Sequence, residues 1–259
     1  MNPKLEESRR NVEDPFKDLK IADTAILDDI DQRSLCPKCK KSRKYFCYTC
    51  YVPVEALEGR VPVVKLPLKI DIIKHNREID GKSTAAHAAV LAPDDVTIYT
   101  FPCVPEYDSD EKVVVIYPGK DAVSLEDYVK PFSTSADTEP RVKRLNCGPG
   151  PPITRAIFID STWNQSRGIF KDPRLHSLPC VVLEHRLSQF WRHQNGSPRW
   201  YLATIEAVHQ FLVELHGQTE SESYSGQYDN LLYFFKYMYH KIHTLYDHED
   251  LKAYKRSMF

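Results

Sequence analysis

The feature that most constrains this chain is the alternation of short, uninterrupted apolar runs with stretches of helical periodicity. Thr97–Phe101, Val113–Tyr117, Ala156–Ile159 and Cys180–Leu183 are each strand-sized. Continuous apolar runs of that length suit strands buried on both faces of a parallel sheet. From Val52 the pattern also becomes strand-like: Leu66, Leu68, Ile70 and Ile72 alternate onto one face, with prolines at the edges. Ser83–Leu91, capped by Ser83 or Thr84, Ser124–Val129 and Trp163–Phe170 read as helices. Ile205, Val208, Phe211, Leu212 and Leu215 share one helical face, and so do Leu231, Phe234, Phe235, Met238, Ile242 and Leu245. The expected fold is α/β, a mostly parallel sheet with helices on both faces.

The 259 residues suffice for one large domain with a small appendage. No apolar run approaches the roughly 20 residues of a membrane helix, so no membrane partner is expected. The opening MNPKLEESRR carries no apolar leader core, which points away from secretion. In a reducing compartment the seven cysteines are then expected as thiols or metal ligands rather than disulfides. The net charge of −1 hides an uneven distribution. Residues 1–35 carry six Lys/Arg against nine Asp/Glu and read as a mobile acidic tail, with one helical patch at Ile21–Ile30. Residues 36–82 carry eleven against five, a basic segment that is either a solvated face or a nucleic-acid contact. Residues 131–152, rich in Pro, Ser, Thr and Gly, read as a flexible insertion.

Cys36-Pro-Lys-Cys39 and Cys47-Tyr-Thr-Cys50 are two C-x2-C pairs seven residues apart, within a module at 36–52. Each pair can grip a metal as a knuckle, and together they offer four thiolates to a tetrahedral zinc. A redox pair is the competing reading, made harder by the presence of two such pairs so close together. Lys38, Lys40, Lys41, Arg43 and Lys44 lie among the ligands beside Tyr45, Phe46, Tyr48 and Tyr51. Basic residues interleaved with aromatics suit phosphate contact and base stacking; the plainer reading is a structural knuckle with a solvated rim.

Directly after the strand Ala156–Ile159 comes Asp160-Ser161-Thr162-Trp163-Asn164-Gln165. In an open α/β sheet ligands bind where strands end, so polar residues here face the crevice. Asp160 or Ser161 as a cap of the next helix, and Trp163 as core, is the alternative. Tyr117-Pro118-Gly119 follows another strand, and Thr204-Ile205-Glu206-Ala207 opens a helix, where capping and a dipole-favoured acid would also explain the residues.

Asp160-x-Thr162-Trp163, Thr204-x-Glu206-Ala207, the His75-Asn76-Arg77-Glu78 stretch followed by Ser83-Thr84, and Tyr117-Pro118-Gly119 occur in the order of the signatures of the DTW-domain family, with the four cysteines ahead of them. The chain resembles that family from about Cys36 to Tyr246. The resemblance implies a catalytic domain over 53–259, kinship with knotted SPOUT-like folds, and a site for S-adenosylmethionine. It also implies transfer of the 3-amino-3-carboxypropyl group to N3 of a tRNA uridine, in the D-loop, with methylthioadenosine released. On that reading Asp160, Glu206, Thr162 and Trp163 are the catalytic candidates: Asp160 is a base if burial raises its pKa, or instead an anchor for the donor's amino group or for the uracil, and Glu206 is the second candidate base. Tyr117, Pro118, Gly119, Ser161, Asn164, Gln165, Leu183, Thr204 and Ile205 are the candidates for the cofactor. Cys36, Cys39, Cys47 and Cys50 are those for zinc, and Lys40, Lys41, Arg43, Lys44, His75, Arg77 and Arg192 those for RNA. The protein is expected to act on tRNA and not DNA, as a monomer or weak oligomer. The resemblance implies the nucleus, with the cytoplasm as the alternative, although any localisation signal is reduced to Arg141-Val142-Lys143-Arg144 in a short insertion. An S-adenosylmethionine-dependent RNA methyltransferase and a non-catalytic zinc-containing RNA adaptor are the competing functions.

Overall fold

The computed structural model describes residues 14–133, 150–194 and 196–256. Six strands form one sheet: β5 (Lys69–Lys74), β6 (Val96–Thr100), β7 (Val113–Ile116), β8 (Val123–Ser124), β9 (Arg155–Asp160) and β10 (Cys180–Val182). Their order across the sheet is β6-β5-β9-β7-β10-β8, and every neighbouring pair is parallel. Four further two-residue strands, β1 (Ser34–Leu35), β2 (Ser42–Arg43), β3 (Phe46–Cys47) and β4 (Val52–Pro53), build two small antiparallel hairpins around the cysteines.

Period-two alternation sorts the sheet's side chains onto two cores. Ile70, Ile72, Val114, Ala156 and Phe158 face one, with α1 (Ala85–Leu91), α2 (Leu125–Ser133), α5 (Thr204–Thr219) and α6 (Tyr233–Leu245) supplying the cover. Ile73, Val113, Val115 and Ile157 face the other, where Ile169 of α3 (Trp163–Phe170) and Leu175 of α4 (Pro173–His176) close it. The sheet is therefore covered on both faces, as its unbroken apolar strands require.

Three expectations change. The alternating run does not begin a strand at Leu66: Leu66 and Leu68 are buried, but pairing starts only at Lys69. Pro62 and Pro67 offer no N–H to a ladder, and the N–H groups of Val64 and Leu66 go instead to the Leu91 carbonyl and the Asp95 carboxylate. Residues 14–35, read from composition as part of a mobile tail, are packed onto the body. Phe16 and Leu27 are 2% and 0% exposed, and Phe16 sits edge-on to Phe235 and Tyr239 of α6. The Lys20 N–H donates to Asp229 at 2.7 Å. Composition missed this because two apolar anchors suffice to hold an otherwise acidic strap. Finally, α2 runs to Ser133, into the segment expected as an insertion. Residues 1–13 of the tail and 134–149, with Arg141-Val142-Lys143-Arg144 and Cys147, lie outside the described residues.

Candidate active site

Because all six strands are parallel, their carboxyl ends share one rim. β6 and β7 lie on opposite sides of the central β5–β9 pair. Crossovers that leave in opposite directions open a crevice at that rim. A cavity of about 700 Å³ lies there, lined by the residues that follow β5, β7, β9 and β10 and by the start of α5.

At its floor, three motifs far apart in sequence meet on one carboxylate. Asp160, the last residue of β9, is 5% exposed. Its Oδ2 accepts from the Ser83 hydroxyl at 2.7 Å and its Oδ1 from the Thr204 hydroxyl at 2.6 Å. The Ser83 oxygen also accepts from the Ala85 N–H, and the Thr84 hydroxyl oxygen from the Ile205 N–H at 3.2 Å. The ends of β9, α1 and α5 are thereby tied together. Burial pushes the Asp160 carboxyl up from its usual range, against the two hydroxyls and the charge of Lys74.

Aromatic rings make up a further part of the lining. Trp163, at the start of α3, lies 3.8 Å centroid to centroid from Tyr201, and Tyr201 meets Trp200 edge-on. Tyr117 stacks on Phe170 and faces Trp163. Thr162 caps α3 in a reciprocal arrangement with Gln165, which accepts from the Thr162 N–H and hydroxyl. The alternative reading of the strand-end motif fails in its particulars: the cap is Thr162 rather than Asp160 or Ser161, and Trp163 is half-buried against the cavity rather than in the core. Tyr117, Pro118, Ser161, Thr162, Trp163, Asn164, Gln165, Leu183 and Thr204 all line it, as do Arg77 and Arg192.

Several candidates do not belong to the lining. Glu206 is fully buried. Its Oε2 accepts from the Ser188 hydroxyl and the Ala203 N–H, its Oε1 from the Gln189 N–H, at 2.6–2.8 Å. It is not a base facing substrate but the pin that fixes the loop 183–203 onto α5. Ile205 is buried in the core with its N–H on Thr84. Gly119 backs onto Phe170 and Cys180, where an added Cβ would lie 3.4–3.5 Å from both. It gives the turn room to pack rather than giving a ligand room to approach.

The module at 36–52 brings the four cysteine sulfurs within 4.8 Å of one another. Its two halves repeat one design. The Lys40 N–H returns to the Cys36 carbonyl and the Tyr51 N–H to the Cys47 carbonyl, and both Lys40 and Tyr51 adopt positive φ, 58° and 54°. Arg43, expected to contact RNA, is 6% exposed. It donates to the Cys47 sulfur and to Thr49 Oγ1 and lies 3.9 Å over the Tyr48 ring, so it braces the cysteines from within. Lys40 and Lys41 are exposed and Lys44 partly so. These three and His75, whose Nδ1 accepts from the Arg77 N–H, do not line the cavity. The module abuts the site: a Cβ on Gly81 would lie 3.6 Å from the Tyr48 ring.

Sequence reading named Leu183 and Arg192 from the loop 183–203 but missed His185, Trp200 and Tyr201, which make that loop the second wall. His185, Arg192, His193, Trp200 and Tyr201 all reach the cavity from it. Its signal was the Arg199-Trp200-Tyr201 triplet just ahead of the Thr204 motif, where two large aromatics sit outside any periodic element.

A family model described as the DTW domain matches residues 44–243. The chain is 47% identical to the tRNA-uridine aminocarboxypropyltransferase 1 of Xenopus laevis over 251 residues, 87% of this chain and 86% of that protein. It is 44% identical to the protein of that name from Mus musculus and 45% identical to that from Homo sapiens, each over 89% of this chain and 84% of the relative. No solved structure matches it significantly.

Proposed function

The chain belongs to the DTW-domain family, and from that premise we propose that it is a tRNA-uridine aminocarboxypropyltransferase. It moves the 3-amino-3-carboxypropyl group of S-adenosylmethionine to N3 of a tRNA uridine. The observation that carries the reading is the convergence of Ser83-Thr84, Asp160-x-Thr162-Trp163 and Thr204 on one cavity, in a chain so close to enzymes of that name. A volume of about 700 Å³ lined by both polar groups and aromatic rings fits a nucleoside-sized donor.

The donor supplies an electrophilic carbon already joined to a positive sulfur; the protein's own part is alignment and proton management. Trp163, Tyr201 and Trp200 give flat apolar surface for adenine or the extruded uracil. Arg77, Lys82 and Arg192 at the mouth are exposed cations for phosphate or for the donor's carboxylate. Asp160 holds the hydroxyls of Ser83 and Thr204 in place and lays a negative charge on the floor. Zinc is the metal that suits the four thiols, because they are soft, close together and partly buried. The charge on Arg43 beside Cys47 favours the thiolate form that binding needs. Its part is to hold the knuckles and, through Tyr48, the loop beside the site. A nuclear setting follows from the family resemblance alone, with the signal reduced to the short cluster at 141–144, and imaging of the tagged chain would check it.

Incubation of the protein with unmodified tRNA and S-adenosylmethionine, followed by mass spectrometry of nucleosides and small products, tests the reading. An aminocarboxypropyl mass on uridine with methylthioadenosine released is the expected result. A methyl mass with S-adenosylhomocysteine makes it a methyltransferase, and bound tRNA without product makes it an adaptor.

A further inference from the structure

Transfer to N3 of uridine requires that the N3 proton leave, and neither acid picked out by the sequence is placed to take it. Glu206 lies outside the cavity with three donors on its oxygens. Asp160 reaches the floor, but each of its oxygens already accepts a short hydroxyl bond. The cavity lining holds two other carboxylates. Glu184 is exposed at the start of the outer loop, its backbone held against Gln210 and Glu214 of α5. Glu78 is half-buried on the turn between β5 and α1, beside Asp160. Its backbone is fixed by donation from its N–H to the His75 carbonyl at 3.0 Å. Its carboxylate accepts from the Ile79 N–H, and among the described residues no side chain donates to it, so lone pairs remain for a ligand.

We propose that Glu78 is the general base of the transfer. Resting on the aminocarboxypropyl reading above, the step balances as follows. The Glu78 carboxylate takes the uridine N3 proton. The N3 lone pair then forms a bond to the donor's γ-carbon while the carbon–sulfur bond breaks, its electron pair passing to sulfur as a neutral thioether. Glu78 leaves the step as a carboxylic acid and returns its proton to solvent through the open mouth. Asp160 acts on Glu78 as a positioning neighbour whose charge keeps that carboxylate basic. Burial first, and the Asp160 charge second, push the Glu78 carboxyl above the ordinary glutamate range, while Lys74 and Lys82 pull it down. The other charged groups around it are Asp80, which pairs with Lys74, and Arg77, with Arg192 and His193 reaching in from the outer loop.

The test is the pH profile of single-turnover transfer by the full-length, metal-loaded protein on unmodified tRNA. Wild type is expected to gain rate with pH as Glu78 ionises and then to level off. Glu78→Gln is expected to lose about 100-fold or more at neutral pH, and to climb with pH without levelling until the uridine ionises by itself. Binding of S-adenosylmethionine and of tRNA to Glu78→Gln, read by calorimetry, should stay within about threefold of wild type. Glu78→Asp, which keeps the acid one methylene shorter, is expected to retain the plateau at a lower rate. Transfer by Glu78→Gln within threefold of wild type across the range, or loss of the plateau in Glu78→Asp, overturns the assignment and leaves the function intact. Absence of the aminocarboxypropyl product from wild type overturns both.

Discussion

Single side chains in this protein divide into those that face substrate and those that hold them there, and Asp160 and Glu206 show how burial separates the two. Both are acids in signature motifs, and burial raises the pKa of both. Asp160 ends a strand at an open rim, while Glu206, two residues into α5, faces a loop that covers it. Periodicity could place Glu206 near a helix start, but nothing local to the sequence says that Ser188 and Gln189 return over it. Replacing Glu206 by Ala would orphan the Ser188 hydroxyl and two backbone N–H groups. A loss of about 3 kcal/mol is expected, seen as a fall in Tm of roughly 10 °C, together with faster proteolysis within 183–203. Trp200→Ala, which removes a half-buried ring of the wall packed on His185 and Tyr201, should lower Tm by only a few degrees and weaken nucleoside binding by about tenfold, measurable by titration. Stability intact but binding unaltered would remove Trp200 from the binding surface.

Elements were legible where one physical signal dominated. β7 and β9 declared themselves by unbroken apolar runs, whereas β6, read as buried, is an edge strand with Thr97 and Thr100 exposed. α5 was marked by a single apolar face, of which Ile205, Val208, Phe211 and Leu212 are all fully buried. α6 was read less well. Leu245, assigned to its buried face, is 64% exposed, whereas Tyr233, Tyr237 and Tyr239 are buried. Tyrosine carries both an apolar ring and a hydroxyl, so a hydropathy pattern undervalues it. The Tyr237 hydroxyl shows the compensation, donating to Asp28 at 2.9 Å while its ring meets Tyr45 edge-on. The cysteine module is the element with least apolar core of its own. Elemental analysis should find one zinc per chain, and a strong chelator should remove it. Removal is expected to loosen hairpins β1–β2 and β3–β4 first, visible as hydrogen exchange at 36–52 and then at 75–82 through Tyr48. Exchange confined to 36–52 would mean that the module does not brace the site.

At the scale of the whole molecule, a sheet with every strand parallel has two unlike rims. The carboxyl rim holds Asp160, Tyr117 and Leu183 at the cavity. The amino rim holds Arg155 at the first position of β9, paired with Glu111 at 2.9 Å and with Asp71. It also holds Lys112, whose ammonium donates to the Pro151 carbonyl. Motif order named the family, but the meeting of residues 83, 160 and 204 depends on strand order, which no local pattern encodes. Ser133 and Gly150 both open onto the amino rim, since α2 runs back from β8 and the chain re-enters at β9. Replacing 134–149 with a short Gly/Ser linker is expected to leave transfer kinetics within twofold of wild type, and a larger loss would tie that segment to catalysis. The polarity of the sheet thus leaves a point of attachment as far from the chemistry as the strands are long. A small fluorescent reporter spliced between Ser133 and Gly150 would let the enzyme be followed in a living cell while its working rim stays clear.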